Sequence, residues 1–474
     1  MQFNSLSFLF FLFSVFVIYW SINKKNIRAK NIILLISSYV FYSFWDYKFL
    51  LLLIFSTLLD FFTGSKIYFS KHKKIWLYTS LVVNLGVLCV FKYYNFFINN
   101  FTDLLNKFKI EIDPILINIT LPIGISFYTF HGLSYVLDIF NKKIKPEKNI
   151  INYSLFVSYF PLLVAGPIER ATHLLPQLSK SRTFNYYIAS NGMKQVLWGL
   201  FKKIVIADNC ANYVDLIYNY ESAHNGSSLL IATILFSFQI YCDFSGYTDI
   251  AIGTSKLFGI QLIKNFSFPY FSRNIPQFWK SWHISLTSWF RDYLYIPLGG
   301  SKNGIISTVI NTFIIFIISG FWHGANWTFI TWGFINACLF IPYIFLKSKY
   351  NLNVNLRNNL SYSIIEKLQI ILTFSIICFT WIFFRSNNID TAFDVIFKIK
   401  NDIFIKTPII PDISILFLIL GLVMIEWKSR FDDFGLEKIG ENWSKIVRYL
   451  FYIIIIFSIF WFAGEEQQFI YFQF

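Results

Sequence analysis

The sequence predicts an all-α polytopic membrane protein with about eleven or twelve spanning helices, at about 20 residues per span. Composition is the first reason. Of 474 residues, 55% are hydrophobic and only 14% are charged, against about 25% charged in an ordinary soluble domain. Phenylalanine alone contributes 58 residues, and the mean hydropathy is +0.53. The second reason is patterning, because the apolar residues fall in long continuous runs. The third is where the charge sits. The net charge is +15, and its Lys and Arg gather between the runs, as they do in the cytoplasmic loops of membrane proteins. These observations exclude a soluble enzyme, a disordered chain and a nucleic-acid binder.

Taken in order, apolar runs occupy residues 6–22, 31–45, 49–64, 75–98, 115–140, 151–166 and 188–206. They continue at 229–252, 305–321, 325–346, 367–384, 412–426 and 447–464. The first lacks a basic leader and a small-residue cleavage site, so it reads as a span. Basic loops follow at Lys24, Lys25, Arg28 and Lys30, at Lys66, Lys71, Lys73 and Lys74, and at Lys142, Lys143, Lys145 and Lys148. Their spacing is consistent with an N-terminus outside and basic loops in the cytoplasm. Asp208, Asp215 and Glu221 then face outside, while Lys256, Lys264, Arg273 and Lys280 face inside. The tail after Gly464 ends outside. Residues 270–325 do not follow a simple alternation of spans and loops.

Breaks at Pro122-Ile123-Gly124, Ala165-Gly166-Pro167, Phe268-Pro269 and Pro297-Leu298-Gly299-Gly300 fall among these runs. Irregular backbone at membrane depth is tolerated only where protein or a water-filled cavity surrounds it, so an internal cavity is expected. The whole chain, 1–474, reads as one membrane domain, with a core at about 120–385 and a tail at 465–474. The five cysteines (Cys89, Cys210, Cys242, Cys338 and Cys378) have no CxxC or CxxH spacing. They read as small buried hydrophobes, with no metal site.

Ionisable groups within apolar segments are functional-site candidates by default. His323, in Phe321-Trp322-His323-Gly324-Ala325-Asn326-Trp327, has the side-chain chemistry for acid–base work near neutral pH. The alternative is a buried packing histidine. His283 follows Trp282 in a stretch where Trp279, Trp282 and Trp289 also fit an interfacial helix, with Arg291 snorkelling or meeting a phosphate. Asp243, in Tyr241-Cys242-Asp243-Phe244-Ser245-Gly246-Tyr247, and Asp249 fit either a buried ion pair or an aqueous path. Glu169 and Arg170 fit mutual neutralisation. His131 and His173 fit core positions, and His72 and His224 fit loops. No phosphate-binding glycine loop, nucleophile elbow, HExxH or HxxxxD is present. Residue chemistry alone leaves an enzyme and a transporter open.

Seven stretches go further: LPIGISFYTF (121–130), YFPLLVAGPIER (159–170), QIYCDFSGYTDIAIG (239–253), FWKSWHISLTSWFRDYLYIPLGGSKNG (278–304), FWHGANWTFITWG (321–333), WIFFR (381–385) and FIYFQF (469–474). Together they resemble the membrane-bound O-acyltransferase (MBOAT) superfamily, in its bacterial alginate and peptidoglycan O-acetyltransferase branch. The resemblance implies a ring of helices, with re-entrant and interfacial elements, around a central funnel or tunnel. It implies His323 as the catalytic general base and His283 in support. Asp243, Trp322, Asn326, Arg291, Tyr241 and Trp282 become candidates for the tunnel wall. It also implies acetyl-CoA as a co-substrate, with no bound cofactor, and an extracytoplasmic partner enzyme that esterifies a polysaccharide, peptidoglycan before alginate. The location implied is the bacterial cytoplasmic membrane. Tyr471 matches a C-terminal tyrosine linked to acyl relay, the alternative being an interfacial anchor. The competing functions are teichoic-acid D-alanyl transfer and a non-enzymatic transporter.

Overall fold

The computed structural model describes residues 1–110, 112–117, 120–164, 166–350, 362–402, 407–464 and 467–470. Among them all regular structure is helical. Six helices are long and apolar enough to cross a membrane: Tyr47–Phe69, Lys73–Lys107, Gly226–Leu257, Gly304–His323, Trp327–Ser348 and Ile364–Arg385. Leu6–Ser21, Ile413–Lys428 and Lys445–Trp461 are apolar but only 16, 16 and 17 residues long. The protein is an all-α polytopic membrane protein.

Several expected runs are divided, each for a local reason. The run at 115–140 becomes helical only at Ile125, because Gly124 precedes it at φ 73°. A Cβ on Gly124 would lie 2.1 Å from the carbonyl oxygen of Leu163, so only glycine fits there. The run at 151–166 breaks at Tyr159, just before Pro161. The run at 188–206 begins as the helix Tyr186–Leu200 and then widens into a π turn over Phe201–Ala207. That turn holds Lys202 and Lys203, both buried. Residues 270–325 do not alternate simply between spans and loops, as expected: short helices at Ile275–Ser281 and Ile284–Phe290 precede the long helix Gly304–His323.

Polarity is distributed as a lipid solvent requires. Phe10, Phe13, Ile306 and Ile365 are well exposed, and Asp60, Asn84, Asp243 and Glu426 are buried. The chain packs as two units. One comprises Met1–Ala189 and Thr254–Leu262, and the other Ser190–Gly253 and Ile263–Phe474. In the first unit, Asp60 Oδ1 accepts hydrogen bonds from Ser80 Oγ at 2.6 Å and Asn84 Nδ2 at 2.8 Å. Such polar pairs hold apolar helices together where lipid supplies no hydrophobic drive.

In the second unit, glycines set the closest helix approaches. Gly199 and Gly246 face each other across Tyr186–Leu200 and Gly226–Leu257. A Cβ on Gly199 would come within 2.5 Å of the Gly246 carbonyl oxygen. Helices Gly304–His323 and Trp327–Tyr350 pack along their length. A Cβ on Gly320 would sit 2.2 Å from the Phe329 oxygen, and one on Gly333 would sit 2.3 Å from the Phe316 oxygen. This pairing fixes the end of the first helix, where His323 lies.

Candidate active site

His323 is the last residue of the helix Gly304–His323 and is buried at 4% exposure. Its imidazole stands among aromatic rings. Trp322, Trp332 and Phe384 have ring centroids 4.9, 5.4 and 5.3 Å away. The aromatic series continues from Trp332 to Trp381, stacked at 5.7 Å, and from Trp381 to Trp282 at 5.1 Å. Gly324 leaves room for this box, since a Cβ there would lie 2.2 Å from the Phe329 ring.

His283 is also buried, at 2% exposure. It caps the helix Ile284–Phe290 in a left-handed conformation, φ 42° and ψ 53°. Histidine adopts that region more readily than most non-glycine residues, but still at a cost. Asn265 supports the turn: its carbonyl accepts from Ile284 N at 2.8 Å, and its side-chain oxygen accepts from Ser285 Oγ. The His283 ring meets Phe244 edge-on at 4.6 Å, and Trp322 at 6.0 Å.

Both histidines line one cavity of about 680 Å³, within the range that holds a small organic ligand. Its wall also carries Trp279, Trp282, Lys280, Arg291 and Lys347, and its described lining includes no Asp or Glu. The stretch around Trp279, Trp282 and Trp289 therefore differs from a plain surface-lying helix. All three indoles are at most 9% exposed, because the chain folds there into two short helices around the cavity instead of one amphipathic rod. Arg291 Nε pairs with Asp292 Oδ1 at 2.8 Å, and its side chain remains 61% exposed.

Trp322, Asn326, Tyr241 and Asp243 are not part of the cavity lining. Trp322 is buried between the two imidazoles. Asn326 precedes the helix Trp327–Tyr350, where its Oδ1 accepts from Thr328 N at 3.1 Å and its Nδ2 donates to the Asn387 carbonyl at 2.8 Å. Tyr241 donates its hydroxyl to Glu426, with both carboxylate oxygens at 3.0 Å. Asp243 Oδ1 pairs with Lys203 Nζ at 2.8 Å, and its Oδ2 accepts from Ile470 N at 2.7 Å. Asp243 thus fastens the C-terminal tail. Phe469 packs there on Phe244 and Tyr247, with ring centroids at 5.8 and 4.6 Å. Tyr471 lies outside the described residues.

These features coincide with a family pattern. The profile described as MBOAT, membrane-bound O-acyltransferase family, matches residues 36–384. The chain belongs to the membrane-bound O-acyltransferase family. This MBOAT chain is accordingly an acyltransferase and a multi-pass membrane protein. It is 36% identical over 396 residues to the probable alginate O-acetylase of Pseudomonas aeruginosa, covering 83% of this chain and 73% of the relative. It is 33% identical to the peptidoglycan O-acetyltransferase of Helicobacter pylori, over 78% of this chain and 74% of the relative. The teichoic acid D-alanyltransferase of Bacillus subtilis is 29% identical over 55% of this chain and 68% of that relative.

Three supporting features of the MBOAT chain escape a reading of the sequence for chemistry. Lys202 pairs with Asp249 at 2.5 Å, and Lys203 pairs with Asp208 at 2.7 Å as well as with Asp243. Glu426 receives Tyr241. Asn265 holds the His283 turn. The first two carried a signal, since charges inside apolar runs are costly unless paired. Asn265 carried none beyond the general preference of Asn for turns. Glu169 pairs with His173, Oε2 to Nδ1 at 2.8 Å, four residues on. Its backbone N donates to His131 Nε2 at 3.0 Å. His131 is a core residue, whereas the His173 side chain is 41% exposed.

Proposed function

We propose that this chain is an O-acetyltransferase of the bacterial cytoplasmic membrane. It takes acetyl from cytoplasmic acetyl-CoA and passes it across the membrane to an extracytoplasmic partner enzyme. The partner esterifies a polysaccharide, with cell-wall peptidoglycan favoured over an alginate-like polymer. The observation that carries this reading is the sharing of one cavity by His323 and His283, walled by aromatic rings and basic side chains. Lys280, Arg291 and Lys347 suit the phosphates of a large anionic thioester. Transfer of the acyl group alone spares the membrane the passage of either the coenzyme or the polymer.

In this reading His323 removes the proton of an attacking hydroxyl as its oxygen bonds to the thioester carbonyl carbon. The tetrahedral intermediate then collapses, the C–S bond breaks, and the departing thiolate takes the proton from the imidazolium. The negative end of the helix Gly304–His323 faces this imidazole and stabilises the transient cation. His283 orients the reacting groups. The Tyr471 hydroxyl is the first acceptor, and the anchoring of Ile470 on Asp243, with Phe469 packed on Phe244 and Tyr247, supports that role. A phenol ester remains a good donor, since a phenoxide, with a pKa of about 10, leaves more readily than an alkoxide.

The broader coverage of the acetyltransferase relatives, 83% of the chain against 55% for the D-alanyl relative, favours acetyl over D-alanyl transfer. The test is release of coenzyme A thiol from acetyl-CoA by the purified protein in liposomes. His323→Ala is expected to abolish it while leaving the folded protein intact. Thiol release by His323→Ala at the normal rate would remove the assignment, and release from a D-alanyl donor alone would favour the second reading.

A further inference from the structure

Lys30 and Arg182 are buried side by side in the first unit, at 1% and 5% exposure. The sequence pattern puts Lys30 in the first basic loop, yet it lies inside the first turns of the helix Ile27–Ser43. Its ammonium donates to the Arg182 carbonyl at 3.3 Å. It also sits 4.2 Å above the Trp20 ring and 4.8 Å above the Tyr19 ring. The Arg182 guanidinium lies 5.7 Å from the Tyr19 centroid, and its Nη2 donates to Asn31 Oδ1. Its Nε and Nη1 are buried without a hydrogen-bond acceptor. The Tyr159 hydroxyl, on a fully buried ring, is within electrostatic reach of the same guanidinium.

Among the described residues no carboxylate forms an ion pair with either cation. That contrasts with Lys202 and Lys203, whose buried charges each meet an aspartate. A buried ion without a partner is costly, and like charges add to the cost. The aromatic rings offset only part of it. Arginine and lysine are donors only. The cluster therefore holds two positive charges and several converging donors, and it lacks a negatively charged acceptor.

We propose that this cluster binds a phosphate-bearing anion. A phosphate has several terminal oxygens, enough to meet Arg182 Nε and Nη1 as a fork and to leave others for Lys30 and Tyr159. Arginine pairs with phosphate through that paired geometry. The position suits such a ligand. Trp20 is near the end of one apolar helix and Lys30 near the start of the next, the level at which indoles and basic side chains meet lipid headgroups. The phosphate comes either from an anionic phospholipid or from a soluble phosphate ester. The proposal is independent of the acetyl-transfer reading.

The test uses the full-length protein, delipidated in a neutral detergent, with its thermal midpoint followed at constant ionic strength set by chloride. Phosphatidylglycerol in mixed micelles, adenosine 3′,5′-bisphosphate and inorganic phosphate are titrated separately. A saturable rise in the midpoint is expected for at least one of them. Saturation by phosphatidylglycerol alone identifies a lipid headgroup, and saturation by the nucleotide or by phosphate identifies a soluble ester. Arg182→Gln and Lys30→Gln are each expected to raise the half-saturating concentration about tenfold, the scale of one lost charge-assisted hydrogen bond. If Arg182→Gln does not fold, Lys30→Gln and the wild-type titration still decide. A response no larger than that to added chloride, or half-saturation unchanged in the folded variants, overturns the proposal.

Discussion

His323 ends its helix inside an aromatic box, and His283 is held on a left-handed turn in the same cavity wall. The two positions make separable predictions. If His323 is the base of the proposed transfer, His323→Ala lowers acetyl transfer by about 100- to 10,000-fold, the usual range for a general base. Asn265→Ala touches no substrate but frees the His283 turn, so kcat falls while the thermal midpoint drops with it. A double variant with His283→Ala then shows less than the sum of the two losses. His173 carries a pH prediction of its own. Its bond to Glu169 raises the imidazole pKa above the usual 6.5. A raised pKa gives stability that is full below about 6.5 and is lost as pH rises through the raised value. The thermal-midpoint gap between wild type and His173→Gln should therefore narrow as the pH rises above about 6.5. The gap is small throughout, because water reaches the side chain. At this scale the sequence disclosed His323 through chemistry and motif together. The contact of Glu169 with His173 has no mark in the sequence beyond its four-residue spacing.

At the scale of elements, glycine and paired charge decide which helices can approach. Gly320 lets the helix carrying His323 lie against the Phe329 backbone. Gly320→Val places a methyl group into that oxygen, at a cost of about 1–3 kcal/mol or more, and moves His323 away from the cavity. Loss of both stability and transfer is the expected outcome, and full activity with a normal thermal midpoint would contradict the packing argument. The π turn at Phe201–Ala207 places Lys203 between Asp208 and Asp243. Lys203→Met removes the cation that both carboxylates share and costs about 3–5 kcal/mol. Adding Asp243→Asn should restore part of that stability, and carboxypeptidase digestion should then reach the tail that Asp243 anchors. Hydropathy located most of these helices within a few residues. The Pro122-Ile123-Gly124 break marked the interruption at Gly124, whereas those at Tyr159 and Phe201 have no such mark, because they depend on what another segment places against the backbone.

At the scale of the whole molecule, long apolar helices and basic loops describe a chain threaded repeatedly through a membrane. The helix Lys73–Lys107 has 35 residues, about 50 Å at 1.5 Å each, which exceeds a hydrocarbon core of about 30 Å. One end must project into water. Single-cysteine variants Lys71→Cys and Asp103→Cys should accordingly label from opposite sides in right-side-out vesicles, with Lys71→Cys accessible only after the membrane is opened. The fold class was legible because composition reports the solvent directly. The cavity was legible only as a set of Pro and Gly breaks, because its wall forms where the short helices at 275–290 fold against the two long helices that follow them. The central claim is that acetyl passes through this cavity with His323 as base, onto the tail. Peptide mass spectrometry after incubation of the purified protein with isotope-labelled acetyl-CoA tests it most directly, with His323→Ala and Tyr471→Phe run alongside. The account predicts a labelled acetyl ester on Tyr471 in the wild type and none in either variant. An ester on Tyr471 at the wild-type level in His323→Ala, or no acetyl on the wild-type tail, would contradict it.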